Sequence, residues 1–176
     1  MKFLPTNIDG AFLIEWEHFE DERGYFAPTH SDEEFAKHGL TNDLSESSLS
    51  FNRLRGTLRG MHYQAAPHEQ SKLVMCVGGL IFDALIDLRP DSDTYRDTFS
   101  AELSLANCHM LYVPAGVAHG FITLEDKSYV QYQIGGDYSP DAARGVRWND
   151  PNFDIDWPLQ PVVLSDRDRD YEDYTL

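Results

Sequence analysis

The chain has 176 residues, enough for a domain with a sizeable core, and its apolar and aromatic fractions of 41% and 12% are those of a folded protein. Its 30 acidic and 14 basic side chains leave a formal charge of −16. That balance argues against nucleic acid or an anionic membrane surface as the main partner, while a few local Arg and Lys residues can still hold an anionic small molecule. Two cysteines, Cys76 and Cys108, do not suggest a disulfide framework. The first ten residues lack a signal-peptide pattern, and no apolar stretch is long enough to span a bilayer. The expectation is a cytoplasmic, single-domain protein, with a core over about 12–160 and a helical tail over about 165–176.

Residues 11–16 read as a first strand, and Asp21-Glu-Arg-Gly24 as a turn into the aromatic pair Tyr25-Phe26. Ser31-Asp-Glu-Glu34 is a capping-box pattern and Gly39 a stop signal, predicting one short helix over about 32–38. Residues 41–50 read as a loop into a strand. The texture then becomes β. The runs 72–77 and 80–88, joined by Gly78-Gly79, predict a hairpin. In the second run Phe82, Ala84, Ile86 and Leu88 share one face, with Asp83 and Asp87 on the other. Further strands are expected at 98–105, 109–113, 121–124 and 128–134, and a terminal helix at 165–174. Many short strands with frequent turns predict an all-β sandwich, jelly roll or barrel with a few short helices.

Two histidines stand out. In Pro114-Ala-Gly116-Val-Ala-His119 the proline and glycine make a tight corner that aims His119 into a barrel, a pattern that resembles the second motif of the cupin superfamily. His62 lies in Leu58-Arg-Gly-Met-His62-Tyr-Gln64 without a second histidine or a glutamate at ligand spacing. Two isolated histidines are a poor set for Zn or Fe, so no metal and no cofactor are expected. Strict alternation would put Arg59 and His62 on opposite strand faces, and Gly60 between them is where a bulge could turn both inward. Read from residue type alone, each candidate keeps an ordinary alternative. His62 could be a core histidine, Lys72 a rim residue, Tyr132 a strand aromatic, Arg23 a turn charge, and Asp168 part of the capping box Ser165-Asp-Arg-Asp168.

A longer series occurs in one order over about residues 12–170. It comprises Asp21-x-Arg-Gly-x-Phe26, Gly56-Thr-Leu-Arg-Gly-Met-His-Tyr-Gln64, Lys72-Leu-Val, Phe82-Asp, Asp87-Leu-Arg89, Pro114-x-Gly-x-Ala-His-Gly-Phe121 and Tyr132. Tyr138-Ser-Pro140, Trp148-Asn-Asp-Pro151, Trp157-Pro158 and Leu164-Ser-x-x-Asp168 complete it. This series resembles the dTDP-4-dehydrorhamnose 3,5-epimerase family. The resemblance implies a cupin-type jelly-roll barrel that epimerises a nucleotide-linked 4-keto-6-deoxyhexose at carbon 3, carbon 5 or both. Such chemistry needs a base on one face of the sugar, an acid on the other and a group to hold the enolate oxygen.

By that resemblance His62 is the base, Asp168 its partner, Lys72 the enolate stabiliser and Tyr132 the proton donor. Arg59, His119 and Tyr138 line the substrate pocket, and Arg144, ahead of Gly145 and Trp148, is a further candidate for the phosphate. Arg23 and Phe26 reach the nucleotide of a neighbouring subunit, which implies a homodimer with exchanged N-terminal strands. The sequence departs from the family pattern at Pro28, in the serine-rich run 45–50 and at Gln133. These departures imply a different nucleotide or sugar, or inversion at one carbon only. A cupin that binds a nucleotide sugar without turnover, and a metal-dependent cupin enzyme, are the readings from other classes.

Overall fold

The computed structural model describes residues 1–40 and 44–175. The expected loop at 41–43 and the last residue of the expected helical tail lie outside them. Thirteen strands are described: β1 (Lys2–Pro5), β2 (Phe12–Glu15), β3 (Phe19–Asp21), β4 (Gly24–Phe26), β5 (Glu46–Asn52), β6 (Leu58–Gln64), β7 (Lys72–Gly78), β8 (Ile81–Asp87), β9 (Thr98–Leu103), β10 (His109–Val113), β11 (Val117–Thr123), β12 (Ser128–Ile134) and β13 (Ala143–Gly145). Two short helices, α1 (Asp32–Lys37) and α2 (Asp166–Arg169), and a 3-10 turn at Pro140–Ala142 accompany them.

The strands form a six-stranded sheet in the order β1-β2-β10-β7-β12-β5, a five-stranded sheet in the order β13-β6-β11-β8-β9, and the separate hairpin β3-β4. Val74, Cys76, Leu111, Val113 and Val130 from the first sheet meet Ile81, Leu85, Leu103, Val117 and Phe121 from the second in one buried core. The outer face of the six-stranded sheet is covered by α1, whose Phe35 is fully buried beside Ile14, Trp16, Met110 and Tyr112. The outer face of the other sheet carries Met61, Ala84, Ile86 and Ala118, covered by Val146, Phe153 and Trp157. This jelly-roll sandwich is the all-β architecture that the alternating short runs predict.

The helix α1 forms where its cap lies. Ser31 Oγ accepts from the Glu34 N–H at 3.4 Å, acidic residues fill the first turn, and Gly39 turns the chain away at φ +70°. Two expectations need correction. The runs 72–77 and 80–88 do not pair as a hairpin: β7 bonds to β10 and β12, whereas β8 bonds to β9 and β11. Both runs are apolar enough to need neighbours on both sides, so Gly78-Gly79 carries the chain from one sheet to the other. Gly79 sits at φ +77°, and a Cβ there would come within 2.4 Å of Ser128 Oγ.

The terminal helix is one turn, not ten residues. Beyond Arg169 the acidic sequence offers no helical apolar stripe, and Tyr171 and Tyr174 pack instead on Gly145 and Phe153. Strand β1 pairs antiparallel with β2, and β2 with β10 of the same sheet, where Ile14 and Trp16 bury their side chains. Among the described strands, only the hairpin β3-β4 stands free of both sheets.

The bulge expected at Gly60 is present. His119 of β11 stands opposite His62 and Phe121 opposite Arg59, so two steps along β11 match three along β6. Gly60 has φ +128°, and a Cβ there would lie 2.4 Å from the Gly120 Cα and 2.9 Å from the His119 carbonyl oxygen. Substituting Gly60 with alanine is therefore expected to destabilise the fold by about 3 kcal/mol, a fall in Tm on the order of 10 °C. Thermal unfolding measures it, and an unchanged Tm would show that β6 and β11 can move apart without cost.

Candidate active site

At one end of the sandwich the inner faces change from aliphatic to polar and enclose a cavity of about 380 Å³. His62, Arg59, Tyr63 and Gln64 enter it from β6, Lys72 from β7, His119 from β11, Tyr132 and Ile134 from β12, and Ser48 and Ser50 from β5. Tyr138, Arg144 and Arg167 stand at its mouth. The structure thus brings together His62, Lys72, Tyr132, Arg59, His119, Tyr138 and Arg144, with Asp168 directly behind His62. Arg23 and Phe26 are not among them. They sit on the β3-β4 hairpin, where Phe26 is 72% exposed and the Arg23 guanidinium pairs with Asp21.

His62 Nε2 lies 2.6 Å from Asp168 Oδ1. A carboxylate at that distance selects the Nε2–H tautomer and leaves the basic lone pair on Nδ1. Asp168 is buried, and its second oxygen accepts the Gly60 N–H at 3.3 Å. Burial pushes its carboxyl up. The bonds from His62, Gly60 and Ser165 outweigh this and hold it below the usual carboxylate range, so it stays ionised. Its backbone N–H also donates to Ser165 Oγ at 3.1 Å. Asp168 therefore is both the third residue of a cap and the partner of His62, because the start of α2 faces the cavity.

Lys72 donates to the His62 carbonyl oxygen at 3.2 Å. Burial lowers its ammonium to about 8, against the opposing pull of Asp83. Tyr132 faces His62 from the opposite sheet, its ring edge-on to His119 with centroids 5.9 Å apart. Burial and then the Asp83 charge push its phenol well above the usual range, with Arg59 acting against them, so it stays protonated at neutral pH. The guanidinium of Arg59 is fixed by Asn52 Oδ1 at 2.8 Å. One face of the Arg144 fork is spent on the Asp141 and Ala143 carbonyls, at 2.8 and 3.0 Å.

Sequence reasoning missed Asn52, Arg167 and Asp83 as site residues. Asp83 is fully buried, and its Oδ1 lies 2.6 Å from His119 Nε2 in a contact too bent to be a hydrogen bond. A carboxylate in the middle of an apolar strand is the signal that could have found it. Arg167, in an alternating Asp-Arg run, gave none. Each of the two facing histidines thus lies beside its own carboxylate, and among the described residues no group of three or more His, Cys, Asp or Glu is placed to hold a metal. Among the described residues, four cations and no carboxylate line the cavity, in a chain whose formal charge is −16. The local field favours an anionic guest.

An antiparallel two-sheet barrel with a polar, cationic pocket at one end is a cupin-type architecture. A family model described as dTDP-4-dehydrorhamnose 3,5-epimerase matches residues 5–175. The dTDP-4-dehydrorhamnose 3,5-epimerase of Methanothermobacter thermautotrophicus is 40% identical over 174 residues, covering 97% of this chain and 93% of its own length. The crystal structure of that enzyme from Bacillus anthracis, with TDP and PPi bound, superimposes with a TM-score of 0.94 at 37% identity, covering 98% of this chain and 99% of that one. A Legionella pneumophila RmlC, in complex with dTDP-4-keto-L-rhamnose, gives 0.88 at 32% identity over 95% and 89% of the two chains. The chain belongs to the dTDP-4-dehydrorhamnose 3,5-epimerase family, a family of isomerases.

Proposed function

We propose that this protein epimerises a nucleotide-linked 4-keto-6-deoxyhexose of the dTDP-4-dehydro-6-deoxyglucose type. The observation that carries the reading is the seating of His62 with Asp168 on one sheet and Tyr132 on the other, across a cavity that also holds Lys72. The C–H bonds beside the ketone are acidified. His62 Nδ1 removes such a proton from one face of the sugar, and Asp168 stabilises the imidazolium that forms. The Lys72 ammonium balances the charge gathering on the ketone oxygen. The Tyr132 phenol returns a proton to the opposite face, which inverts the carbon. Arg59, Arg144 and Arg167 take the diphosphate, His119 and Tyr138 bound the sugar end, and no step calls for a metal or redox cofactor.

The test is solvent deuterium exchange at carbons 3 and 5 of dTDP-4-keto-6-deoxyglucose. Label at both carbons assigns a 3,5-epimerase and label at carbon 3 alone a 3-epimerase. Binding without exchange would return the protein to a non-catalytic role. The departures at Pro28 and in the serine-rich strand β5 make the same experiment with other nucleotide forms informative.

Because burial lowers the Lys72 ammonium to about 8, its charge is present below that pH and lost above it. The kcat/KM of the wild-type protein is expected to fall as pH rises through about 8. In Lys72→Arg the guanidinium stays charged, so this alkaline limb is expected to vanish even if the absolute rate drops. A limb that survives the substitution would assign it to another group.

A nucleotide-linked substrate fits a cytoplasmic enzyme, and the free hairpin supports a homodimer. Phe19 and Phe26, 71% and 72% exposed, are apolar side chains awaiting cover. In this reading a second copy supplies the cover, and Arg23 with Phe26 completes its pocket. A monomeric mass in analytical ultracentrifugation at micromolar concentration would remove the dimer.

A further inference from the structure

Beyond Arg169 the chain forms a strap that runs back across the site. Its far end is tied down. The Tyr174 N–H donates to Asp150 Oδ2 at 2.5 Å, Asn152 Nδ2 donates to the Tyr174 carbonyl at 3.1 Å, and the Tyr174 and Tyr95 hydroxyls meet at 3.0 Å. Arg147 pairs with Asp173 at 2.5 Å. Between these ties and α2, the Tyr171 ring packs against Gly145. A Cβ at residue 145 would come within 2.1 to 2.7 Å of three atoms of the ring, so only glycine admits it. Gly145 pairs in register with His62, which puts the Tyr171 ring beside the imidazole, with centroids 6.2 Å apart and planes at 69°.

The phenol oxygen of Tyr171 accepts from Arg167 Nε at 2.8 Å. Arg167 lines the cavity mouth, yet it is an exposed residue on a one-turn helix. A long side chain in that setting loses considerable rotamer freedom when it engages a ligand. Bonding Nε leaves both terminal nitrogens of the fork for an anion.

Resting on the nucleotide-sugar reading above, we propose that Tyr171 is a positioning residue that holds the Arg167 guanidinium at the pocket mouth for the diphosphate of the substrate. The C-terminal strap then belongs to the binding site and is not only a tie for the tail. Tyr171 touches no reacting atom; it acts through Arg167.

The test is calorimetric titration of dTDP into four proteins: wild type, Tyr171→Phe, Arg167→Ala and the double variant. Thermal unfolding of each serves as the control for folding. The phenylalanine ring keeps the packing on Gly145 and removes only the oxygen. Tyr171→Phe is expected to weaken dTDP binding by about three- to tenfold, with the loss appearing in KM and not in kcat. In the Arg167→Ala background the same change is expected to cost nothing further. Unchanged binding by Tyr171→Phe, or an equal loss with and without Arg167, would overturn the assignment. A folded wild-type protein that binds neither dTDP nor UDP, GDP or CDP would remove the nucleotide reading itself, and this inference with it.

Discussion

Substituting His62 with alanine is expected to lower kcat for epimerisation by about 10³-fold and to slow deuterium exchange at the sugar by the same factor. The side chain is 40% exposed and sits at the cavity wall, so its removal opens no core void and the fold is expected to persist. Asp168 keeps the Gly60 and Ser165 contacts that hold α2 against β6. The loss therefore belongs to the chemical step. A His62→Ala protein with an unchanged Tm that still exchanged at the wild-type rate would transfer the base assignment elsewhere, with His119 the nearest alternative imidazole in the cavity.

Tyr132→Phe is expected to uncouple proton removal from inversion, which proceed together in the wild-type enzyme. His62 is untouched, so proton removal continues and deuterium still enters from solvent on the face that His62 serves. The opposite face has lost its donor, and inverted product is expected to fall by roughly 10²- to 10³-fold. Phenylalanine keeps the ring against His119 and the core residues beneath it, so packing is conserved. Comparing label incorporation with inverted product by NMR reads both quantities from one sample. If exchange and inversion fall together, the phenol takes a role in proton removal, and the two-sided mechanism is wrong.

Much of this fold is legible locally. The cap of α1 and the bounds of β10 and β12 follow from residue type and period 2. The bulge in β6 is visible as a conflict, since Arg59 and His62 cannot both face inward without an extra residue, and Gly60 stands where one is permissible. Partner choice is not legible. Nothing local tells β7 that its neighbours are β10 and β12 and not β8, because a Gly-Gly junction serves a hairpin or a crossing between sheets equally well. Of the site, the residues of the family series are found and the cavity gathers them, save Arg23 and Phe26. Asp83 and Asn52 escape because their importance lies in what stands opposite them across strands. Tyr171 escapes because the sequence predicts a ten-residue helix where one turn and a strap occur.

The doubled residue in β6 means that the pocket's chemistry depends on a count as well as on composition. Regular alternation over the same residues would put Arg59 and His62, three steps apart, on opposite faces, so closing the bulge without losing a residue would turn either the guanidinium or the imidazole out to the far side of the sheet. Gly60, which lets the extra residue fit against β11, is therefore a requirement of the pocket as well as of the fold. New substrate preferences are easier to reach at the cavity mouth, in the segment around Tyr138 and in the tail, where an added or lost residue leaves the frame of the two histidines intact.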